Sequence, residues 1–396
     1  MDINTRRLAV QTPAEHVEET VQILKNTWNP HRYTIIISDA ETITGRLGYI
    51  AETSPWLRFM MSFMRTSIAR ALRSVQRDLI AGSTTCSRDF RAMLKAAKQQ
   101  LRSTRDATQG TTIAAPGTGA RGKPAQHDAA LRHSNFAASK AAKQVHHSRT
   151  PFTITKAMRR ETALIFRALS SNWIDMWRPI GHLIKRSPSG VGYSDSCLHA
   201  AGGYSLDLGF WWYLEWPKNI QQHTLKFIYN DKDGKLVSIN ALEYASLIIN
   251  YVAASHVLTH VYPTKGDPHP VVLLYADNRT AESWLIKASK SSHAGRALGY
   301  IQAALMVNNP VGINVDHVTS EDNEIADGIS RVKSELALLT EMQKIYKDHP
   351  SLRSCQRFHP SAELKSLIWE TLLARKFIDP LEAIRHTLAT LGAITT

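Results

Sequence analysis

The sequence predicts an α/β protein in which a mixed sheet is flanked by helices. Three short segments follow one another at Val191–Asp195, Ala200–Ser205 and Phe210–Trp216, a pattern typical of strands joined by tight turns. Further along, the apolar run Val271–Ala276 has the length of a buried strand and stands between two helical patterns. Consecutive strands followed by a helix–strand–helix alternation are typical of a mixed sheet covered by helices.

The other elements of this region follow from the same periodicities. A further strand is predicted at Leu225–Tyr229, because a turn sequence, Asp231–Gly234, closes it. The alternating segment Val311–Val318 predicts the last strand of the sheet. Helices are predicted at 156–169, 240–256, 280–288, 293–307 and 322–332. The aromatic run at 210–216 leaves two interpretations open, burial within a strand or stacking on single-stranded bases.

The region that precedes the sheet is predicted to be mainly helical. A helix begins near Pro13, a short β segment covers Tyr33–Ser38, and a second helix begins at Asp39. A third helix, from Trp56 to about Ile80, has one apolar face and one basic face. The basic face carries Arg58, Arg65 and Arg73. Such a face either contacts nucleic-acid phosphates or is solvated, and the pattern alone leaves both interpretations open.

Composition then divides the chain into four regions. Residues 86–150 contain 12 Lys and Arg against 3 Asp and Glu, and 101–148 have almost no large apolar side chains. Such a segment cannot bury enough surface to offset its ordering entropy, so it is predicted to be a disordered basic linker. We therefore expect a helical region at 1–100, the linker at 101–150, the α/β domain at 151–332 and a helical tail at 333–396.

The overall composition indicates which kinds of binding partner and which cellular compartment suit the chain. The 396 residues carry 48 Lys and Arg against 34 Asp and Glu, a net charge of +14, which favours a polyanionic partner such as nucleic acid. The 3 cysteines form no CxxC pair, so neither a zinc site nor a disulfide framework is supported. There is no apolar run typical of a signal peptide or membrane span. We expect an intracellular protein, cytoplasmic or nuclear, that is not secreted and binds no membrane.

Four carboxylates lie at or near the ends of predicted elements: Asp195, Glu243, Asp277 and Asp327. Mg²⁺ prefers carboxylate oxygens, and such a set can hold two ions about 4 Å apart. His317, ten residues before Asp327, could shuttle a proton there. Each residue also has an ordinary structural interpretation. Asn240 and Glu243 fit a capping box, Asp277 could cap the following helix, and Asp195 could be a turn residue.

The region 191–331 resembles the ribonuclease H domain of retroelement polyproteins. The resemblance rests on Tyr193-Ser-Asp195 with its glycine-bearing turn, on Ile239-Asn-Ala-Leu-Glu243 and on Leu274-Tyr-Ala-Asp277-Asn278. Its most specific part is the closing stretch from His317 to Arg331, which contains Asn323, then Ala-Asp327, then a Ser-Arg ending. About 140 residues are covered. The resemblance implies a ribonuclease H-like five-stranded mixed sheet flanked by helices.

The resemblance also implies an activity and roles for individual residues. Members of the family cut the RNA strand of an RNA–DNA hybrid with two Mg²⁺ ions, for which Mn²⁺ is a substitute. By position, Asp195, Glu243, Asp277 and Asp327 correspond to the metal ligands. His317 corresponds to a mobile auxiliary residue, and Asn278 to a contact of the scissile phosphate. The implied partners are an RNA–DNA hybrid and the rest of a retroelement polyprotein.

The flanking segments resemble the same polyproteins less specifically. Thr42–Ile50 and the helix after it are similar to a reverse transcriptase thumb and connection, and Phe358–Leu364 resembles an element of the DIRS type. There is no Tyr-x-Asp-Asp and no adjacent Asp pair, so polymerase activity is predicted to be absent. Two alternatives remain: a catalytically degenerate nucleic-acid-binding protein of this fold, and an integrase-like nuclease, against which the closing motif argues.

Overall fold

A computed structural model describes residues 2–4, 9–27, 32–80, 151–171, 174–184, 186–229, 236–261, 267–289, 292–307, 309–373 and 392–395. The predicted linker at 101–150 and residues 374–391 of the predicted helical tail lie outside these residues. Contacts between Cα atoms divide the chain into two units. The first contains residues 1–25, 45–63 and 160–396, and the second contains 26–44 and 64–159.

The described strands are β1 (Asp2–Asn4), β2 (Ala9–Gln11), β3 (Thr34–Ile36), β4 (Pro151–Thr153), β5 (Arg178–Pro179), β6 (Gly190–Ser196), β7 (Ala200–Ser205), β8 (Phe210–Glu215), β9 (Val271–Ala276), β10 (Gly312–His317), β11 (Gln356–Pro360) and β12 (Gly392–Thr395). The described helices are α1 (Ala14–Thr27), α2 (Ile37–Thr53), α3 (Leu57–Met60), α4 (Ser62–Ile80), α5 (Lys156–Leu169), α6 (Lys218–Tyr229), α7 (Ile239–His256), α8 (Arg279–Lys287), α9 (His293–Val307), α10 (Glu324–Ser330), α11 (Glu335–Asp348) and α12 (Ala362–Leu373). Short 3₁₀ turns cover Ile180–His182, Glu321–Asn323 and Pro350–Ser354, and a π turn, Val257–Val261, extends α7.

The main sheet has the strand order β10-β9-β6-β7-β8-β11-β12. Strands β6, β7 and β8 are antiparallel neighbours, whereas β9 runs parallel to both β6 and β10. The α/β class with a mixed sheet and flanking helices is therefore confirmed. Because β6 and β9 are adjacent and parallel, their carboxyl ends lie at the same edge of the sheet.

Helices cover both faces of this sheet. Helix α7 packs on β6, β7 and β9, while α10 packs on β6 and β7. The second face contains a cluster of buried side chains from strands β7 and β8, from α10 and α11 and from the segment between these two helices: Ala200, Tyr204, Trp211, Tyr213, Ala326, Ile329, Val332, Leu338 and Met342. The aromatic run at 210–216 is buried on both faces of β8, so its rings belong to the core.

Two predicted elements were wrong. Leu225–Tyr229 is the end of helix α6 instead of a strand, since Ile220 and Thr224, one turn apart, are fully buried and set a helical period that begins earlier. The tail at 333–396 is not helical throughout, because it contributes strands β11 and β12. The predicted α/β domain contributes five strands to the sheet, β6 to β10, and the two tail strands extend the sheet to seven. Strand β11 pairs in parallel with the free edge of β8, and β12 pairs with β11.

The smaller sheets belong to different units. Strands β1, β2 and β5 form an antiparallel sheet in the first unit. In the second unit, β3 and β4 pair antiparallel, with Ile35 opposite Phe152, which confirms the short β segment predicted near residue 35. The helix predicted from Trp56 to Ile80 is divided at Met61 into α3 and α4.

One described stretch, Ile239–Val261, is long and apolar enough to cross a membrane. Of its most apolar window, 89% is buried inside the protein, as in the core helix of a soluble domain. Two of its polar side chains form hydrogen bonds inside the protein. Asn250 accepts a hydrogen bond from the indole of Trp212 at 3.0 Å, and Tyr251 donates to the carbonyl of Val311 at 2.8 Å.

Replacing Gly202 with Ala is expected to destabilise the fold by about 1–3 kcal/mol, because the core has no room for a methyl group there. A Cβ at Gly202 would lie 2.4 Å from Cγ2 of Ile329 and 3.0 Å from the backbone nitrogen of Ser330. Gly45 is the matched control, since it is exposed in α2 and no described atom lies within 4 Å of its Cβ position. Gly45→Ala is expected to stabilise by roughly 0.5–1 kcal/mol. Urea denaturation of both variants would test this, and a stabilised Gly202→Ala would contradict it.

Candidate metal centre

The first carboxylate of the site is placed by β6. Asp195 is the sixth residue of that strand, pairs with Gly202 across the antiparallel ladder, and is 6% exposed. Its Oδ2 accepts a hydrogen bond from the hydroxyl of Ser330, at the end of α10. A turn residue would be solvated, whereas Asp195 lies within the strand and is held by a helix 135 residues further along. The turn interpretation is therefore wrong.

The second carboxylate, Glu243, comes from α7, and the structure shows that it is not part of a capping box. Ser238 is the N-cap of α7, with its hydroxyl 3.3 Å from the backbone nitrogen of Ala241. Glu243 is thus five residues after the cap, beyond the first turn and out of position for a capping box. It is 4% exposed, and its Oε2 has no hydrogen-bond partner among the described residues. A buried carboxylate oxygen without a partner is costly, and a bound cation would remove that cost.

The third carboxylate follows β9 directly. The helix cap at this point is Asn278, whose Oδ1 accepts from the backbone nitrogens of Thr280 and Ala281 at 3.0 Å each. Asp277 is therefore not the cap, and its side chain is available to the site. Its Oδ2 accepts a hydrogen bond of 2.9 Å from the hydroxyl of Ser320.

These three carboxylates converge on one point. Ligand atoms of Asp195, Glu243 and Asp277 all lie within 4.8 Å of one another, close enough to hold a metal ion. Burial, and then the charges of Asp195 and Asp277, raise the pKa of Glu243 well above its usual range. Burial is also the main cause of the raised pKa of Asp195, to which Asp277 and Asp327 add. Three acids so close repel one another when ionised, and a divalent cation offsets that repulsion.

The donor set fits a hard cation. All three ligands offer carboxylate oxygen, which suits Mg²⁺ or Mn²⁺ better than the softer metals that cysteine and histidine bind. Cys197 is the nearest thiol in sequence, but its sulfur lies 3.1 Å from the carbonyl of Ser330, to which it donates. The acidic triad can therefore hold a metal ion, and its chemistry favours an oxygen-binding one.

Asp327, the fourth predicted ligand, does not join the triad. It lies in the first turn of α10 and forms an ion pair of 2.6 Å with Arg331, four residues later. The side chains of Asp327 and Arg331 are 38% and 71% exposed, so the pair is weak and easily exchanged. Asp327 is nevertheless near enough to Asp195 to raise the pKa of that carboxyl. Because a carboxylate has two oxygens, Oδ1 of Asp327 could bind a second ion while Oδ2 keeps the pair with Arg331.

The structure also places the two auxiliary residues beside the triad. Nε2 of His317 lies 3.1 Å from the backbone carbonyl oxygen of Asp277. Because a carbonyl oxygen only accepts hydrogen bonds, this contact requires a hydrogen on Nε2. Asn278 uses its Oδ1 as the cap of α8 and its Nδ2 to donate to Asn240 at 2.9 Å. The amide nitrogen has two hydrogens, so the one that is not donated to Asn240 could still be donated to a phosphate oxygen.

The arginines predicted to bind nucleic acid fall on two helices. Arg58 lies on α3 and pairs with Glu52 at 3.3 Å, with its side chain 33% exposed. Arg65 and Arg73 are both exposed on α4. Whether any of them contacts a phosphate stays a prediction.

Two hydroxyl groups that hold the acids were not found from the sequence. Ser330 belongs to the Ser-Arg ending that carries the family resemblance, but no local pattern links it to Asp195. Ser320 is an exposed residue beside a short 3₁₀ turn and has no distinguishing signal at all. Both contacts arise from tertiary packing.

Comparison of the chain with protein-family models, with curated proteins and with solved structures found no match. The resemblance to ribonuclease H domains that the sequence motifs indicate therefore stays a prediction.

Proposed function

We propose that this chain is a Mg²⁺-dependent ribonuclease H-type nuclease that hydrolyses the RNA strand of RNA–DNA hybrids. The observation that carries the proposal is the buried triad of Asp195, Glu243 and Asp277, whose ligand atoms lie within 4.8 Å of one another. The mixed sheet beneath it supports the proposal, since the resemblance implies such a sheet. Carboxylates at the ends of adjacent parallel strands are where open α/β sheets place ligands and chemistry.

Each side chain then has a distinct task. Asp195, Glu243 and Asp277 would hold the metal, and Oε2 of Glu243, which has no partner in the described part of the chain, would gain one. Bound Mg²⁺ supplies an activated water nucleophile and stabilises the leaving oxygen of a phosphodiester. His317, beside Asp277, can carry a proton to or from the edge of the site. Asp327, whose charge acts on Asp195, would offer a carboxylate oxygen to a second ion beside its pair with Arg331.

The charge balance supports a nucleic-acid substrate. The chain has a net charge of +14, which attracts a phosphate backbone. The proposed centre is acidic and would repel the phosphates, so cations are needed there to offset the repulsion. The recognition of a hybrid would come from its A-form shape and 2′-hydroxyl groups instead of its base sequence.

The test is cleavage of an RNA–DNA hybrid labelled on either strand, with Mg²⁺ or with EDTA. The expected result is cleavage of the RNA strand only, dependent on Mg²⁺ or Mn²⁺, with little cleavage of double-stranded DNA. Salt-sensitive binding of the hybrid without cleavage would favour the catalytically degenerate binding protein. Cleavage of double-stranded DNA in preference to the hybrid would favour the integrase-like nuclease.

A further inference from the structure

Ser330 joins the end of α10 to the acidic triad. Its hydroxyl donates to Oδ2 of Asp195 and lies 2.9 Å from the backbone carbonyl of Asp327. A serine hydroxyl has one hydrogen, so it cannot donate to both oxygens at once. When Asp195 is ionised, its charged oxygen is the stronger acceptor and takes the hydrogen.

The end of α10 that carries Ser330 is itself anchored to the sheet. The thiol of Cys197 donates to the carbonyl of Ser330 at 3.1 Å, and the hydroxyl of Tyr213 donates to the carbonyl of Val332 at 3.0 Å. The absence of a side chain at Gly202 lets the helix backbone approach β7 closely. The hydroxyl of Ser330 is therefore presented to Asp195 from a rigid support.

Burial makes this contact hard to replace. Ser330 is 0% exposed and Asp195 is 6% exposed, so water cannot readily supply a substitute donor. Ser320, which donates to Asp277 at 2.9 Å, is exposed, and water can take over its role. Asp195 and Asp277 therefore each accept a hydrogen bond from a serine hydroxyl, but the serine that holds Asp195 is buried and the serine that holds Asp277 is exposed.

We propose that Ser330 is a positioning residue that fixes the orientation of the Asp195 carboxylate for metal binding without contacting the ion or the substrate. The inference rests on the proposed metal centre, but not on the identity of the nucleic acid that is cut. Partners that orient a metal ligand commonly contribute about 10–100-fold to metal affinity. Ser330 is expected to contribute within that range, and Ser320 less.

The experiment is Mn²⁺ binding followed by electron paramagnetic resonance, with wild type, Ser330→Ala, Ser330→Cys and Ser320→Ala. We expect Mn²⁺ affinity to fall about 10–100-fold in Ser330→Ala and to an intermediate extent in Ser330→Cys, whose thiol is nearly isosteric but a weaker donor. Ser320→Ala should stay within about threefold of wild type, because water replaces its hydroxyl. Hybrid cleavage by Ser330→Ala should recover at saturating Mn²⁺, which a general folding defect would not allow.

The possible outcomes distinguish the proposed role of Ser330 from the proposed nuclease activity. Weaker Mn²⁺ binding by Ser330→Ala supports the positioning role even if the wild type cuts no hybrid, in which case only the proposed nuclease fails. Equal affinity in Ser330→Ala and wild type overturns the positioning role alone. A loss of affinity matched by unfolding of the metal-free Ser330→Ala and Ser330→Cys proteins, or an equal loss in Ser320→Ala, also overturns it. Absence of Mn²⁺ binding by the wild type overturns both proposals.

Discussion

Glu243→Gln is expected to abolish metal-dependent cleavage of an RNA–DNA hybrid and, at the same time, to stabilise the metal-free protein at neutral pH. The amide keeps the size of the carboxylate but removes the charge that the ion requires. In the metal-free protein that charge is costly. Glu243 is 4% exposed, its Oε2 finds no partner among the residues that the structure describes, and it lies against two other acids. Active sites are commonly places where function and stability conflict in this way.

The direction of the pH dependence follows from the raised pKa. Burial raises the pKa of Glu243 in the folded state well above 4.5, the ordinary value that the unfolded chain retains. Above pH 4.5 the folded state therefore binds more protons than the unfolded state, and the free energy of unfolding falls as pH rises towards the folded pKa. Asp195, whose pKa burial also raises, adds a slope of the same sign above its own ordinary value of 3.8. Gln does not ionise, so in Glu243→Gln residue 243 no longer contributes to the change of the free energy of unfolding with pH.

Urea denaturation in EDTA at several pH values between 4.5 and 8 would measure the effect. We expect Glu243→Gln to exceed wild type by about 1–3 kcal/mol at neutral pH, the usual cost of a buried polar group without a partner, and to approach it at the acidic end. Added Mg²⁺ should stabilise wild type but not the variant. The matched control is Glu282→Gln on α8, which is outside the triad and should change neither property. A variant less stable than wild type at every pH would contradict the assignment of Glu243.

Asp277→Asn is expected to reduce hybrid cleavage by more than about 100-fold, while Asp327→Asn should cost about tenfold or less. Removing a ligand should exceed the 10–100-fold that is typical for loss of a residue that only orients one. Asp277 belongs to the triad, whereas Asp327 is half-exposed and paired with Arg331 at 2.6 Å. The second ion, which needs Asp327, should therefore bind more weakly than the first.

Cleavage rates over a wide range of Mg²⁺ concentration would separate the two variants. Asp277→Asn should stay inactive at all concentrations, whereas Asp327→Asn should approach wild type as Mg²⁺ increases. Asp348→Asn, an exposed carboxylate at the end of α11, is the matched control for the change of charge and should behave as wild type. If Asp327→Asn were as inactive as Asp277→Asn at every concentration, Asp327 would be a full member of the working site. The Asp327–Arg331 pair would then describe only the metal-free state.

Much of the sheet could be predicted from the sequence, because strand periodicity and turn residues are local. The run Val271–Ala276 predicted β9 with its bounds, and the position of Asp277 directly after it placed a carboxylate at the edge of the sheet. Helix α9 has the predicted bounds His293–Val307, since its apolar residues repeat over four turns. The prediction of a strand at Leu225–Tyr229 was wrong, because five residues are too few to distinguish the end of a helix from a strand.

Other features were decided only by tertiary structure. Strand β11 pairs with Phe210 and Trp211 of β8, and no local pattern in Gln356–Pro360 indicates that an edge of the sheet is free to receive it. The capping interpretation of Glu243 was excluded only when Ser238 proved to be the cap of α7. The seventh strand, β12, depends in turn on β11.

The same division holds within the site. Local periodicity, with periods of two and 3.6 residues, is enough to show which carboxylates stand at or near the ends of elements. The sequence did not determine that Asp195, Glu243 and Asp277 meet within 4.8 Å, that Ser330 donates to Asp195, or that Asp327 pairs with Arg331 outside the triad. Those facts depend on which surfaces pack together and exclude water. Desolvation and charge proximity arise between residues far apart in the chain, so they exist only once the sheet and its helices have assembled.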